Sequence, residues 1–187
     1  MGFTREQLES FRGATVPDLI GSRCRLLFVG INPGLWTAAT QTHFCHPSNR
    51  FYPALRRAGL IEWSLDADTG MSDAQRESLT RLGIGITNLV ARATARASEL
   101  GHDELRAGAD RLRHRVADLR PTVVAVAGVT AFRSAFDDRK AHIGEQPAGL
   151  DGSSLWVVPN PSGLNAHETT DSLAGWYRRV AQAAGIK

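Results

Sequence analysis

Cysteine is scarce in this sequence, and its scarcity excludes several kinds of site. Only Cys24 and Cys45 occur among the 187 residues. Two cysteines are too few for a zinc or iron–sulfur site made of four cysteines, and they are consistent with a protein kept reduced in the cytoplasm. We therefore expect a cytoplasmic location and no metal centre built on cysteine.

Long apolar runs are also missing. No uncharged apolar run reaches about 18 residues, the length that a helix needs to cross a bilayer. The opening MGFTREQLES has no apolar stretch behind a basic start, so it does not have the pattern of a secretion signal. We expect no association with a membrane.

Lysine is nearly absent, whereas arginine is abundant. Of 22 basic residues only Lys140 and Lys187 are lysines, which leaves 20 arginines. The formal net charge is +3 and the isoelectric point about 9.3, which permits nucleic-acid binding without proving it. A guanidinium suits phosphate because it donates two parallel hydrogen bonds, although a GC-rich coding bias explains the arginine excess equally well.

Short apolar runs alternate with helical patterns along the chain. Four runs predict buried strands, at residues 25–34 (a strand ending in a loop), 85–90, 122–128 and 155–159. The alternation favours an α/β fold, a three-layer α/β/α sandwich with a mainly parallel central sheet of four strands. We expect a single domain over 1–187, with an N-terminal capping segment at 1–22 and a core at about 23–184.

Helical patterns fill most of the intervals between these runs. The predicted helices lie near 4–11, at 49–59, from Ser72 or Asp73 to Leu82, at His102–Leu119, near 129–136 and at about 168–184. Pro53 must lie in the first turn of its helix or break it. The polar residues 61–71 are predicted to form a loop.

Two loops share an asparagine followed by a proline. Gly30-Ile-Asn-Pro-Gly34 follows the first predicted strand, and Asn160-Pro-Ser-Gly-Leu-Asn165 follows the last. Ligand sites in parallel sheets lie beyond the carboxyl ends of the strands, where both loops are placed. Either loop alone is also compatible with an ordinary turn. The first lacks the Gly-x-x-x-x-Gly-Lys pattern, which excludes a nucleoside-triphosphatase.

The wider sequence around these loops carries a resemblance to a known family. Its three segments are GINPGLWTAATQTHFCHPSNRFY at 30–52, TNLVARATARASEL at 87–100 and NPSGL at 160–164. In this order and spacing they resemble the mismatch-specific uracil-DNA glycosylase and thymine-DNA glycosylase family, which is part of the uracil-DNA glycosylase superfamily. The resemblance extends from about Arg25 to Gly175, most of the chain.

The resemblance implies a monofunctional hydrolase of base excision DNA repair with the uracil-DNA glycosylase fold. Such an enzyme flips uracil from mismatched duplex DNA and hydrolyses the N-glycosidic bond, leaving an abasic site. Thymine, hypoxanthine and etheno-bases are further substrates that the sequence does not rank. The implied partner is double-stranded DNA with a U·G or similar lesion, the implied cofactor requirement is none, and we expect a monomer.

The resemblance also implies roles for residues of the base pocket. Asn32 positions the attacking water through its carbonyl oxygen, since an amide has no proton to exchange as a strong general base. Phe44 stacks on the flipped base. Backbone N–H groups near Ile31 and Phe44 bind base oxygens, and Asn160 donates to a base carbonyl from the opposite wall.

Four positions depart from the family pattern. Trp36 and Thr37, which we assign to the base pocket, stand where many relatives have small residues, and a bulky Trp36 would narrow the pocket against thymine's methyl group. Ala91 replaces an acidic residue of many relatives. Ala166 stands where relatives can carry an arginine that contacts the opposing strand, which predicts a weaker dependence on the opposite base.

The last loop is expected to contact DNA. By resemblance, Gly163, Leu164 and Asn165 form the wedge that fills the gap left by the flipped base. Ser162 contacts a neighbouring phosphate. His167 contacts the DNA backbone, or is simply a solvated histidine at a helix start.

Other polar residues of the motifs are interpreted as structural. Asn49 and Arg50 are expected to support the pocket loop at a helix start. His43 and His46 could form a pair of metal ligands, but no third ligand clusters with them, so we expect no metal. Arg92 is assigned a structural or phosphate-binding role.

Two other functions stay open. One is a damaged-DNA-binding module on the same fold with little or no turnover, because Asn32 carries no carboxylate and Ala91 supplies none. The other is an α/β enzyme that acts on a free nucleoside or small metabolite. Competition by duplex DNA and a steep salt dependence would count against this last function.

Overall fold

The structure is a computed structural model that describes residues 2–187. Its centre is one sheet in the strand order β2-β1-β3-β5-β4. The strands are β1 (Leu26–Gly30), β2 (Ile84–Asn88), β3 (Val123–Ala127), β4 (Gly144–Glu145) and β5 (Ser154–Val158). The strand pairs β1–β2, β1–β3 and β3–β5 are parallel, so the carboxyl ends of these four strands share one edge.

The sheet has five strands, so the prediction of four is wrong by one. The additional strand, β4, pairs antiparallel with β5 through Gly144 and Glu145, opposite Val157 and Trp156. It escaped prediction because two residues, one of them glycine, give neither an apolar run nor an alternating pattern. The mainly parallel α/β architecture is confirmed.

Helices cover both faces of the sheet. They are α1 (Arg5–Glu9), α2 (Leu35–Thr40), α3 (Phe51–Arg57), α4 (Asp73–Leu82), α5 (His102–Leu119), α6 (Val129–Phe136) and α7 (Thr170–Ala183), with a 3-10 turn at Ala97–Glu99. Pro53 is the third residue of α3. The N–H groups of the first turn have no acceptor within the helix, so proline loses no helical hydrogen bond at this position. Ser72, one of the two predicted starts, is the N-cap of α4. Its hydroxyl accepts from the backbone N–H of Gln75, and the Gln75 side chain accepts from the backbone N–H of Ser72.

The core lies in two layers, one on each side of the sheet. Leu26 and Phe28 of β1 pack in a cluster with residues of α3, α4 and α7. Leu27 and Val29 pack in a second cluster with residues of α5 and α6. Successive side chains of a strand point to opposite faces, so a strand that is apolar at every position is buried on both sides. This is the predicted three-layer sandwich.

The N-terminal segment packs along the β2 edge of the sheet. Leu19 bridges Ile86 of β2, and Thr15 bridges Arg92. Val16 lies in a small cluster with Leu35 of α2. Met1, the first residue of the predicted capping segment, lies outside the described residues. Among residues 2–187, no helix is both long and apolar enough to cross a membrane.

Candidate active site

A cleft of about 750 Å³ opens where β1, β2, β3 and β5 end. Both asparagine–proline loops line it, together with the start of α6 and the segment 94–97. The sheet therefore brings the two motifs together although about 130 positions separate them in the sequence. Most of the predicted site residues converge at this cleft.

The side chain of Asn32 is held in one orientation. Its Nδ2 donates to the carbonyl oxygen of Arg92 over 3.1 Å and to Oγ1 of Thr94 over 2.8 Å. Because a carbonyl oxygen can only accept, the amide nitrogen must face this side. The amide oxygen Oδ1 is left without a protein donor among the described residues, as an acceptor at the wall of the cleft.

The backbone beside Asn32 is equally fixed. The segment after β2 runs along the first loop, with Val90 N–H donating to Ile31 O over 3.0 Å and Thr94 N–H donating to Pro33 O over 3.1 Å. Thr94 Oγ1 in turn donates to Arg96 O over 2.9 Å. Thr94 thus connects Asn32 to the next turn of the chain. These bonds pre-organise Asn32 without any contribution from a ligand.

An aromatic ring forms part of the cleft wall. Phe44 has a φ of 56°, in the left-handed region, and its ring stacks on Phe51 with centroids 4.2 Å apart. Gly30 makes this arrangement possible, because a Cβ there would lie 3.2 Å from the Phe44 ring and 2.3 Å from Asn88 Oδ1. Gly30 is therefore required because Phe44 and Asn88 leave no room for a side chain.

Asn88, at the end of β2, is a cleft residue that sequence reasoning missed. Its Nδ2 lies 3.0 Å from Nδ1 of His43, and His43 Nε2 lies 2.9 Å from the carbonyl oxygen of Pro17. Since that carbonyl only accepts, Nε2 carries the proton, Nδ1 accepts from Asn88, and Asn88 Oδ1 remains as an acceptor. Its position at a strand end was the available signal.

His43 is buried and serves as the support for Asn88. Burial lowers the pKa of His43, which keeps the imidazole neutral. Tyr52 also donates from its hydroxyl to the backbone oxygen of His43 over 2.8 Å. The histidine is consequently structural, and between Gly2 and Lys187 no three potential ligand side chains gather as a metal site would require.

Asn160 has a side chain with one free end. Its Oδ1 accepts from the backbone N–H of Ser162 over 3.0 Å, and its backbone oxygen accepts from Asn165 Nδ2 over 3.0 Å. The first bond fixes the amide orientation, which leaves Nδ2 as a donor at the cleft. Asn32 and Asn88 therefore present acceptors to the cleft, and Asn160 presents a donor.

The loop at 162–167, here called the wedge loop, carries an unusual leucine. Leu164 is 92% exposed and is the one large hydrophobic side chain exposed among residues 2–187. The adjacent Gly163 sits against Ser48, where a Cβ would come within 2.4 Å of Oγ and 2.7 Å of the backbone oxygen. The loop therefore rests on the first motif and projects its leucine into solvent.

Arg50 holds this loop in place through hydrogen bonds to its backbone. Its Nη2 donates to the carbonyl oxygens of Ser162 over 2.8 Å and Asn165 over 2.7 Å, and its Nη1 donates to Glu168 O. Its backbone N–H donates to Pro161 O over 2.9 Å. The guanidinium thus donates to three backbone carbonyls at 162–168 and supports the wedge loop, whereas the sequence predicted that Arg50 supports the pocket loop.

A family model matches most of the chain. The model described as the uracil DNA glycosylase superfamily matches residues 17–182. The chain belongs to the uracil-DNA glycosylase superfamily. Its fold is similar to the solution NMR structure of a "putative Uracil DNA glycosylase" from Methanosarcina acetivorans, with a TM-score of 0.60 and 18% identity over 91% of this chain and 98% of that chain. Membership supports a DNA glycosylase function in general.

Most of the remaining predicted site residues line the cleft, and one does not. Ile31, Thr37, Ser162 and His167 line the cleft, whereas Trp36 does not. Trp36 Nε1 donates to Ala67 O over 2.6 Å, and its ring packs edge-on against Phe3 and His46. The assignment of Trp36 to the base pocket is therefore corrected: successive helical positions diverge by about 100°, which places Thr37 at the cleft and Trp36 beside it.

Arg92 is accounted for by an ion pair. Its Nε lies 2.6 Å from Glu104 Oε1, and its Nη2 donates to Glu104 Oε2 over 2.9 Å. This two-point contact holds the segment after β2 to the start of α5. Of the two roles predicted for Arg92, the structural one matches these contacts.

Proposed function

We propose that this chain is a monofunctional DNA glycosylase that removes uracil from mismatched duplex DNA and leaves an abasic site. The observation that carries the proposal is the orientation of Asn32, whose Oδ1 is left free at the cleft by the bonds of Nδ2 to Arg92 and Thr94. A water that donates to this oxygen would be positioned for attack on C1′ of a flipped nucleotide.

The cleft complements the hydrogen-bonding edge of uracil. Phe44 offers a stacking surface, Asn160 Nδ2 donates to a base carbonyl, and Asn88 Oδ1 accepts from the N3–H. Cytosine has no proton on N3, so it would place an acceptor against the Asn88 oxygen. The site would therefore reject cytosine, the normal partner of guanine, because the Asn88 oxygen would be left without a donor.

Bond cleavage follows from the same contacts. As the N1–C1′ bond breaks, its electron pair passes to the base and positive charge develops on the sugar. Asn160 stabilises the departing anion through its hydrogen bond, and water bound to Asn32 adds to C1′ and loses its proton to solvent. Because Asn32 cannot take that proton, we expect slower chemistry than with a carboxylate at this position.

The charge and shape of the site support two further parts of the proposal. No lysine lines the described cleft, so no amine is placed to form a Schiff base and cut the strand. The exposure of Leu164 supports a wedge role, in which its apolar side chain fills the gap in the duplex after the base has flipped. We infer a preference for U·G duplexes from the resemblance, weakened by Ala166.

The test is a glycosylase assay with wild type and Asn32→Ala. Labelled duplexes carrying U·G, U·A, T·G or hypoxanthine are incubated with excess protein and then treated with alkali, which cleaves abasic sites. We expect alkali-dependent cleavage of U·G by wild type, and its loss in Asn32→Ala with DNA binding retained. Intact duplexes despite tight binding by wild type would support the damage-binding module instead, and a nick before alkali would refute a monofunctional mechanism.

A further inference from the structure

Arg96 occupies the rim of the cleft beside Asn32. It lies in the segment 94–97, immediately before the 3-10 turn, and its side chain is exposed. The glycosylase mechanism proposed above gives it no role. Two consecutive hydrogen bonds connect its backbone to the side chain of Asn32. The backbone of Arg92 is also bonded to Asn32, but the Arg92 side chain is paired with Glu104.

Those bonds fix how far Arg96 lies from the reacting atoms. Asn32 Nδ2 lies 2.8 Å from Thr94 Oγ1, which lies 2.9 Å from the carbonyl oxygen of Arg96. The Arg96 N–H also donates to Glu99 Oε1 over 2.8 Å. The backbone of Arg96 is thus held near Asn32 before any DNA binds, and a guanidinium on its long stem reaches outward from that point.

The charge of Arg96 is uncommitted, unlike that of its neighbours. Arg12 is paired with Glu99, and Arg92 is paired with Glu104. Arg96 forms no ion pair with any residue from Gly2 to Lys187. The carboxylates of Glu99 and Glu104 are therefore already paired, and Arg96 is the one arginine or lysine among the residues that line the described cleft.

We propose that Arg96 binds a phosphate next to the flipped nucleotide on the lesion strand. The inference rests on the proposed function, since it places C1′ of that nucleotide at Asn32. The phosphates attached to the same sugar must then lie at the cleft mouth, within reach of the Arg96 guanidinium. Bidentate donation to a phosphate suits arginine, and it would anchor this strand on the side of Asn32 while the wedge loop enters the duplex.

Salt dependence of DNA binding tests this contact. The probes are short duplexes that carry one tetrahydrofuran abasic analogue opposite guanine or adenine, and the dissociation constant is measured from roughly 50 to 200 mM salt. The variants are Arg96→Gln, Arg96→Lys and the control Arg120→Gln. Arg120 is exposed at the end of α5, on the sheet edge away from the cleft, so its loss changes net charge equally.

We expect Arg96→Gln to weaken binding at low salt. The plot of log association constant against log salt should become less steep by about 0.9, which corresponds to the loss of one phosphate contact. Arg96→Lys should keep the slope, and Arg120→Gln should match wild type. The loss should be equal for both opposite bases. An unchanged slope in Arg96→Gln, an equal change in Arg120→Gln, or a loss confined to one opposite base would overturn the proposal.

The uracil assay separates this proposal from the one on which it rests. In single-turnover excision of U·G, Arg96→Gln should need more protein to reach half of the maximal rate, with that maximal rate unchanged. Failure of wild type to release uracil would count against the glycosylase, whereas normal excision with an unaltered Arg96→Gln slope would count against the phosphate contact alone.

Discussion

At the scale of the residue, we expect Thr37 to limit the width of the proposed base pocket. Thr37 is 5% exposed, lines the cleft and is branched at Cβ. Its neighbour Trp36, which the sequence suggested for this role, is held away from the cleft by its bond to Ala67. If a base fits against Thr37, an additional methyl group on that base competes with the threonine methyl for space.

We therefore expect Thr37→Ala to admit thymine. The ratio of single-turnover rates for T·G and U·G should rise by roughly 10-fold or more, since one methyl group in a pocket is worth about 1–3 kcal/mol of discrimination. Trp36→Phe is the matched control, because it alters the adjacent position outside the cleft. An equal gain in both variants would show that the pocket is limited elsewhere.

Residue roles differed in how far the sequence could predict them. Asn32, Phe44 and Asn160 were identified from motifs, and the structure places all three at the cleft. Asn88 was missed because nothing in the sequence indicates that a histidine 45 positions earlier would orient its amide. A hydrogen bond between distant residues depends on the packing of the sheet, and no local pattern encodes it.

At the scale of the element, the wedge loop depends on a contact between two motifs. Gly163 packs against Ser48 so closely that an alanine Cβ would clash with both side-chain and backbone atoms. We expect Gly163→Ala to displace the loop and to lower single-turnover excision by up to about 100-fold, the effect of a misplacement near 1 Å.

The thermal midpoint separates this local effect from unfolding. Overpacking costs about 1–3 kcal/mol, so Gly163→Ala should remain folded. Gly175→Ala is the matched control, because a Cβ at that position of α7 meets open space. Wild-type excision by Gly163→Ala would show that the loop tolerates the shift and that the contact with Ser48 is dispensable.

Elements with a strong period were predicted well, and short ones were not. The boundaries of α5, His102–Leu119, agree with the prediction because five apolar residues recur on one face and Pro121 follows. The six residues of α2 and the two of β4 were missed. Short elements owe their conformation to tertiary contacts, here those of Leu35 and of the β5 edge, rather than to their own sequence.

At the scale of the whole molecule, buried histidine makes stability depend on pH. Burial lowers the pKa of His43 below its ordinary value near 6.5, so between these two values the unfolded chain binds a proton that the folded chain does not. The free energy of unfolding is therefore unaffected by the titration of His43 above about pH 6.5, and it decreases as the pH falls toward the folded-state pKa. Partial burial lowers the pKa of His46 in the same sense.

We expect the thermal midpoint of wild type to fall between about pH 6.5 and pH 5, and His43→Gln to show a shallower decline from a lower starting value. His114→Gln, an exposed substitution on α5, is the control and should follow the wild-type curve. Identical slopes for His43→Gln and wild type would show that other groups govern acid sensitivity.

The exposed Leu164 has a consequence for timing. If Leu164 fills the space vacated by the base, as proposed, it would do so whether that base is still attached in the cleft or already released, so the abasic product would bind the leucine as well as the substrate does. The contacts of the wedge loop would then not weaken when the base is released. A glycosylase with this loop should therefore release its abasic product slowly, and a time course of excision should show a rapid first turnover followed by slower ones.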